Sequence, residues 1–178
     1  MKRTISPEYA KLNQQLHDER FDYGAKAAPY AQTIVNICKQ NSFKVVLDFG
    51  CGKGTLKPAV NALDKSIRVL EYDPAVPGKD NLPTKTPDLI VALDVMEHIE
   101  PDYLDDVLAT LRDLKPQTVL LLIALEPAQK TLPDGRNAHL IIETPAWWKA
   151  RLAPYFTALP GRESKEHLLF AGTPILAK

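Results

Sequence analysis

The sequence predicts an α/β fold in which a mostly parallel sheet is covered by helices on both faces. Four nearly unbroken apolar runs have the length and residue types of buried parallel strands. Helix-like segments separate these runs, an alternation typical of parallel sheets. A glycine-rich segment follows the first run, where α/β proteins bind ligands. With 178 residues, 45% of them hydrophobic, the chain is expected to form one domain with a full core.

The four apolar runs are predicted to be strands that lie parallel in one sheet. They are, in chain order, Lys44–Phe49, Ile67–Tyr72, Asp88–Leu93 and Thr118–Leu125.

The clearest helix is predicted over PDYLDDVLATLRDLK, residues 101–115. Pro101 suits a first-turn position, where its missing N–H is not needed. Arg112 and Lys115 lie at the end where the helix dipole favours cations. One face of this helix is apolar, formed by Leu104, Val107, Leu108, Leu111 and Leu114.

The end of the chain predicts one more helix and an antiparallel pair of strands. TPAWWKARLAPYF, residues 144–156, has the pattern of a helix that stops around Pro154. FTALP and EHLLFAGTP have the pattern of two strands joined by a turn through Gly161. The sheet is therefore expected to close with a hairpin.

The charge balance and the cysteine count exclude several classes of function. Basic and acidic residues number 22 each, so the net charge favours no polyanion, and duplex DNA is not expected as a partner. The two cysteines, Cys38 and Cys51, give no zinc-ligand spacing. No signal-peptide pattern and no apolar run near the ~20 residues of a membrane span is present. We expect a soluble cytoplasmic protein without membrane contact, and the sequence makes no prediction about oligomeric state.

The segment DFGCGKG, residues 48–54, indicates a ligand that carries positive charge. Gly50, Gly52 and Gly54 let ligand atoms approach backbone amides at the end of the first strand. Their GxGxG spacing differs from the GxGxxG of dinucleotide sites. Asp48 would repel a phosphate and attract a cationic amine.

This segment resembles the first motif of the class I S-adenosylmethionine-dependent methyltransferases, and the resemblance continues from Lys44 to Leu125. VLEYDPA looks like the strand end that carries the family's ribose-binding acid, aligned with Asp73 and with Glu71 as the alternate. KDNLP is similar to the adenine-side loop, and PDLIVALDVMEHI looks like the fourth strand with its EH signature. The resemblance implies S-adenosyl-L-methionine as cofactor, bound by Asp48, Gly50, Cys51, Gly52, Glu71, Tyr72, Asp73, Asp80, Asn81, Leu82, Asp94 and Val95.

One segment departs from the family pattern. Only 14 residues separate Asp73 from Asp88, where the family normally has a strand and two helices. Four of these residues are prolines, so no helix fits there. We expect the third-strand region to be shortened or absent and an irregular loop to form the adenine wall.

The candidate catalytic residues are His98, His139, Glu97 and Tyr23. A sulfonium already activates its methyl group, so the protein must align a nucleophile and, where needed, accept its proton. His98 follows a strand end that faces the cofactor and suits a base or orienting role. The alternative is that Glu97 and His98 only cap the following helix. Tyr23 adjoins Gly24, which could act as the hinge of a lid.

A metal-assisted reaction is an alternative. Asp94, Glu97, His98 and His139 are similar to the residues with which small-RNA 2′-O-methyltransferases hold a divalent metal beside a terminal ribose. The first acid is Asp rather than Glu, only one histidine follows Glu97, and that family's extended RNA-binding surface has no counterpart here. We therefore expect no permanent metal, and an RNA acceptor stays open as the alternative.

The expected function is methyl transfer from S-adenosyl-L-methionine to an oxygen or nitrogen of a small-molecule acceptor. A second alternative is a cofactor-binding scaffold without catalysis. The single domain, residues 1–178, would contain an N-terminal helical segment over 1–42, a cofactor-binding core over 43–126, and an acceptor-side loop with the hairpin over 127–178.

Overall fold

The computed structural model describes residues 4–20 and 23–176, so both ends of the predicted domain and positions 21–22 lie outside the described residues. A six-stranded mixed sheet forms its centre. The first four strands run parallel, as predicted, and the last strand pairs antiparallel with both the fourth and the fifth. The strands are β1 (Val45–Phe49), β2 (Arg68–Tyr72), β3 (Leu89–Leu93), β4 (Thr118–Ala124), β5 (Phe156–Glu163) and β6 (His167–Pro174). Their order across the sheet is β2-β1-β3-β4-β6-β5.

Helices cover both faces of this sheet, as the alternating pattern predicts. They are α1 (Pro7–Glu19), α2 (Ala31–Asn41), α3 (Leu56–Leu63), α4 (Leu104–Asp113) and α5 (Pro145–Leu152). The apolar residues of α2 and α3 pack on one face of the sheet, and those of α4 and α5 pack on the other. The helix predicted over residues 101–115 is confirmed, although Pro101–Tyr103 form a 3-10 turn before α4.

The parallel strands bring three acidic positions to one edge of the sheet. β1 is buried along its whole length because its five residues lie between the two helical layers. Phe49 pairs with Tyr72, so β1 and β2 end side by side, and β3 ends next to them. Asp48, Asp73 and Asp94 therefore all lie at the carboxyl ends of the parallel strands, where α/β sheets bind ligands.

The connection between β2 and β3 contains no helix and no strand, so the expectation of a shortened third-strand region is confirmed. β2 is consequently an edge of the sheet. Backbone hydrogen bonds hold the start of the connection in a tight turn: the N–H of Asp73 donates to the oxygen of Lys79 at 2.9 Å. The N–H of Lys79 donates to the oxygen of Val76 at 3.0 Å.

The C-terminal hairpin is present, but the predicted turn position is wrong. The chain reverses over residues 164–166, and Gly161 lies inside β5, beside a bulge between Leu159 and Arg162. A Cβ at position 161 would collide with the carbonyl oxygen of Leu169 on β6. Glycine occurs there because two backbones approach closely, rather than because the chain turns.

In the part of the chain that the structure describes, no helix is both long enough and apolar enough to cross a membrane.

Candidate functional site

The glycine loop, residues 50–54, follows β1 in a conformation that only glycine adopts easily. Gly50, Gly52 and Gly54 have φ angles of 73°, 49° and 73°, in the left-handed region. The amides of Gly50 and Cys51 donate to the oxygen of Tyr72 at 2.8 and 3.1 Å, which ties the loop to the end of β2. The loop therefore presents almost bare backbone to the carboxyl edge of the sheet.

Asp48 is a buried carboxylate whose Oδ2 has no hydrogen-bond partner among the described residues. Only 2% of the residue is exposed. Burial, reinforced by repulsion from Glu71, raises the pKa of Asp48 to about 7. Such a carboxylate suits a cationic partner, because a nearby positive charge would favour its ionised form.

Asp73 and Glu71, the two candidate ribose acids, face different surroundings. Asp73 Oδ2 accepts from the N–H of Gly52 at 2.9 Å, and its Oδ1 accepts from the N–H of Ala75 at 3.0 Å. Glu71 instead forms ion pairs with Lys57 at 2.9 Å and Lys79 at 3.0 Å, on the outer side of β2. Asp73 is thus the acid that lines a cavity between α1 and the glycine loop.

Two adjoining cavities open at the carboxyl edge of the sheet. The smaller, about 120 Å³, lies between α1, the glycine loop and the end of β2. The larger, about 470 Å³, lies between the glycine loop, the end of β4 and the loop that follows it. Within the described ranges, five residues line both cavities, namely Tyr23, Gly24, Gly50, Asp94 and His98.

The remaining predicted cofactor contacts divide between the cavities and the protein surface or core. Cys51 lines the larger cavity and Val95 the smaller. Tyr72 packs against Phe49 and bonds Thr4 through its hydroxyl, at 2.7 Å. The three residues predicted for the adenine wall line neither cavity: Asp80 and Asn81 are exposed, and Leu82 packs on the core. Pro74 and Ala75 line the smaller cavity instead.

His98 stands between the two cavities as a neutral imidazole. It ends the 3-10 turn Met96–His98 that follows β3. Its Nδ1 lies 2.7 Å from the carbonyl oxygen of Ala138 and must be the donor, because a carbonyl only accepts. Burial lowers the pKa of His98 to about 3. Its Nε2 is therefore left as a hydrogen-bond acceptor.

His139 has the same arrangement and meets His98 in the larger cavity. Its Nδ1 lies 2.6 Å from the carbonyl oxygen of Glu126, and burial lowers its pKa. The Asn137 side chain fixes the loop by accepting from the N–H groups of His139 and Ala128, both at 2.9 Å. The two imidazole rings lie 4.8 Å apart, edge to face.

Glu97 lies behind the two histidines and is fully buried. Its Oε1 accepts from the N–H of Ala124 at 3.0 Å, whereas Oε2 has no partner within the described ranges. Burial raises the pKa of Glu97 to about 8. Glu97, His98 and His139 each have one atom that could bind a metal ion, and these three atoms lie within 4.8 Å of one another. Asp94, the fourth residue of the predicted group, lies instead 3.8 Å from the Nε2 of His167.

Tyr23 closes the site from the N-terminal side. Its hydroxyl donates to Asn13 Oδ1 at 3.0 Å, and its ring stands edge-on to His17 and His98. The ammonium of Lys130 lies 5.6 Å from the centre of the ring. Burial raises the pKa of Tyr23, so the hydroxyl stays protonated.

Several residues that line the cavities were not predicted from the sequence. His17 and Asn13 lie on α1 and face the smaller cavity, while Lys26 and His167 face the larger one. His167 pairs with Ala124 across β4 and β6, so only the register of the antiparallel pair brings it to the site. The sequence signal that could have indicated it is that His167 lies at the start of the predicted last strand, EHLLFAGTP, opposite the apolar end of β4.

The comparisons with known proteins find one matching family model and solved structures that share the fold. A family model described as a methyltransferase domain matches residues 19–161. The 1,6-didemethyltoxoflavin-N1-methyltransferase of Burkholderia thailandensis, solved with 1,6-didemethyltoxoflavin and S-adenosylhomocysteine, superposes with a TM-score of 0.65 and 18% identity, over 98% of this chain and 92% of its own. The DhpI complex with SAH superposes with a TM-score of 0.61 and 16% identity, over 93% of this chain and 95% of its own.

A third solved structure, an O-methyltransferase family protein from Burkholderia thailandensis, gives a TM-score of 0.57 and 13% identity, over 85% of this chain and 58% of its own. No curated protein is similar enough in sequence to count as a match. At these identities the structural likeness is one of fold.

Proposed function

The chain belongs to the methyltransferase domain family, and we propose that it transfers the methyl group of S-adenosyl-L-methionine to an oxygen or nitrogen of a small-molecule acceptor. It is an S-adenosylmethionine-dependent methyltransferase with the class I fold. The neighbours described above include an N-methyltransferase and an O-methyltransferase family protein, so both acceptor atoms belong to the proposal. The observation that carries it is the pair of cavities that meet at Gly50, Asp94 and His98.

The smaller cavity, of about 120 Å³, supports binding of the ribose of the cofactor. Asp73 lies at the end of β2 with both oxygens facing backbone amides, and each oxygen has a further lone pair for a ribose hydroxyl. Pro74 and Ala75 offer an apolar wall beside it. The unpartnered Oδ2 of Asp48, on the other side of the glycine loop, suits the cationic amine of the methionine part.

The larger cavity supports binding of the acceptor. Its volume of about 470 Å³ lies within the ~300–1,000 Å³ range of small-molecule sites. His98 and His139 each offer an Nε2 lone pair to it, since their Nδ1 atoms are held by carbonyl oxygens. These acceptors would orient an O–H or N–H group for in-line attack on the methyl carbon.

His98 acts here by orientation more than by taking up a proton. With a pKa of about 3 it holds a proton poorly at neutral pH. A hydrogen bond to its Nε2 still directs the lone pair of the acceptor atom. As that atom forms its bond to the methyl carbon, the bond between methyl carbon and sulfur breaks, S-adenosylhomocysteine leaves, and the proton of the acceptor passes to solvent in the larger cavity.

A screen of small acceptors with methyl-labelled S-adenosylmethionine tests the proposal. Wild-type protein is expected to label at least one phenol, amine or heterocycle, and His98→Ala and His139→Ala to reduce turnover. Both variants should bind S-adenosylhomocysteine nearly as tightly as wild type. Cofactor binding without turnover across the screen would favour the non-catalytic scaffold, and full turnover in an alanine variant would remove that histidine from the acceptor site.

The convergence of Glu97, His98 and His139 favours metal-assisted ribose 2′-O-methylation of RNA as a second candidate function. The three residues fit a divalent cation, because Glu97 Oε2 has no partner among the residues described and both Nε2 atoms are free of the carbonyls. Holding each Nδ1–H on a carbonyl oxygen is the arrangement that orients histidine ligands. Such a cation would lower the pKa of a hydroxyl and fix its position.

Metal removal distinguishes the two candidates. We expect protein treated with EDTA to keep its activity, and purified protein to carry no stoichiometric metal. Loss of activity that Mn²⁺ or Mg²⁺ restores in wild type, but not in Glu97→Gln, would establish the metal-assisted reaction instead.

A further inference from the structure

The N-terminal segment lies across the glycine loop and is fixed there by hydrogen bonds. We call residues 23–25 the strap. The backbone N–H of Lys53 donates to the oxygen of Gly24 at 3.0 Å, and the Lys53 ammonium donates to the oxygen of His17 at 2.8 Å. Thr55 donates from its hydroxyl to the oxygen of Ala25 at 3.2 Å. The last turn of α1 and the strap therefore have a defined position over the loop.

At Gly24 and Gly52 the strap and the loop meet backbone to backbone. A Cβ at Gly52 would lie 2.7 Å from the oxygen of Gly24, and a Cβ at Gly24 would lie 3.1 Å from the Cα of Gly52. Both residues have positive φ, of 49° and 67°. Because no side chain separates the two segments, α1 comes close enough to supply one wall of the smaller cavity.

His17 is the residue of α1 that this arrangement places over the cavity. Its ring stands edge-on to Tyr23 at 4.7 Å, and a Cβ at Gly24 would lie 2.6 Å from its Cε1. Its Nδ1 is buried and makes no hydrogen bond of good geometry among the described residues, although the Tyr23 backbone interacts with the imidazole and partly offsets the lowering of its pKa by burial. A buried polar atom without a good hydrogen bond is costly, so its position over a ligand cavity points to a ligand.

The polar group opposite His17 is Asp73. Both line the smaller cavity, and of the charged groups around the His17 ring Asp73 affects its pKa most, although burial outweighs it and lowers that pKa. A neutral imidazole nitrogen can donate or accept, and a carboxylate oxygen only accepts. A ligand between them must donate a hydrogen bond to Asp73 and also bond the imidazole of His17. A pair of neighbouring hydroxyls can do both.

We propose that His17 binds the ribose of the adenosyl cofactor, with its Nδ1 hydrogen-bonded to a hydroxyl of the diol that Asp73 holds. The inference rests on the proposed function, since it needs the cofactor in the smaller cavity. An anionic ligand is disfavoured at this place because the Asp73 carboxylate would repel it. His17 thereby makes α1 and the strap part of the cofactor site.

A binding cycle with the hydroxyl and the imidazole removed in turn tests this inference. S-adenosylhomocysteine and its 2′-deoxy and 3′-deoxy counterparts are titrated calorimetrically into wild type, His17→Ala and His17→Asn. We expect His17→Ala to bind S-adenosylhomocysteine about tenfold more weakly, the effect of one lost hydrogen bond. His17→Asn should recover part of the loss, since its amide reaches the position of Nδ1. Gln14→Ala, exposed on the same helix, is the matched control and should bind like wild type.

The cycle separates a ribose contact from a general weakening of the fold. For one of the deoxy ligands, wild type and His17→Ala should bind equally, because the partner of the imidazole is already gone. Equal losses for all three ligands, or wild-type affinity in His17→Ala, would overturn the inference. If wild type itself did not bind S-adenosylhomocysteine, the proposed function would fail instead. Melting temperatures without ligand show whether His17→Ala folds, and His17→Asn carries the test if it does not.

Discussion

Asp48 illustrates how one residue can lower stability while it serves binding. Its carboxylate is 2% exposed, one oxygen lacks a partner among the described residues, and burial raises its pKa to about 7. Because the folded-state pKa lies above the unfolded value, the folded protein binds the proton more tightly. The stability that this gives is fully present at low pH, below the unfolded pKa, and is lost as the pH rises through about 7.

We therefore expect Asp48→Asn to stabilise the ligand-free protein at pH 8 and to weaken cofactor binding. The neutral amide removes the cost of the buried charge, about 1–3 kcal/mol, but also removes the partner of the cofactor's amine. Thermal unfolding at pH 5 and pH 8, with S-adenosylhomocysteine titrations, measures both effects. A variant that is destabilised at pH 8 or that binds the ligand as tightly as wild type would contradict this role.

The two acids at the end of β2 give a second test at the level of residues. Asp73→Ala should weaken S-adenosylhomocysteine binding by about 1–3 kcal/mol, through lost charge-assisted hydrogen bonds to the ribose. Glu71→Ala is the matched change on the outer side of β2, where it breaks the pairs with Lys57 and Lys79. Calorimetric titration of both variants should show the large loss only in the first, and the reverse result would move the ribose contact to Glu71.

At the scale of elements, the strands and α4 were predictable because their patterns are local. The apolar runs of β1 to β4 need no knowledge of the rest of the chain, and each predicted strand boundary agrees with the structure within a residue. The short connection after Asp73 was predictable from its prolines in the same way. Gly161 was misjudged because glycine serves both turns and close backbone contacts, and only the position of β6 distinguishes the two.

The close contact between the strap and the glycine loop predicts that a side chain at position 52 weakens cofactor binding. Gly52→Ala places a Cβ against the backbone of Gly24 and should displace the strap, weaken S-adenosylhomocysteine binding and speed hydrogen exchange in residues 23–25. Gly78→Ala is the control, because Gly78 has a positive φ of 83° but no atom of the described residues lies within 4 Å of the place that its Cβ would take. It carries the same backbone strain without the collision, so its binding should stay near that of wild type. Equal losses in both variants would assign the effect to strain alone.

Across the whole molecule, the glycine loop and the acids at the strand ends were predictable because each follows a strong strand pattern. His17 and His167 were not, since they come from opposite ends of the sequence and reach the site only through the packing of α1 and the register of β6. The predicted adenine wall, Asp80, Asn81 and Leu82, lines neither cavity, whereas Pro74 and Ala75 line the smaller one, and the assignment stays a prediction. An irregular loop carries no periodicity from which the direction of a side chain can be predicted. The roles of the predicted site residues, the single domain and the cytoplasmic location stay predictions.

Calorimetric titration with S-adenosylhomocysteine and with NAD shows whether the site at the strand ends binds the methyl-donor cofactor. The GxGxG loop, the Oδ2 of Asp48 that has no partner among the described residues, and the cavity lined by Asp73 suit an adenosyl ligand with a cationic amine. The two carboxylates would repel a pyrophosphate. S-adenosylhomocysteine should bind stoichiometrically and, at 100 times its dissociation constant, stabilise the fold by about 2.7 kcal/mol. NAD should produce neither heat nor stabilisation. Binding of NAD without binding of S-adenosylhomocysteine would show that the site holds a dinucleotide instead.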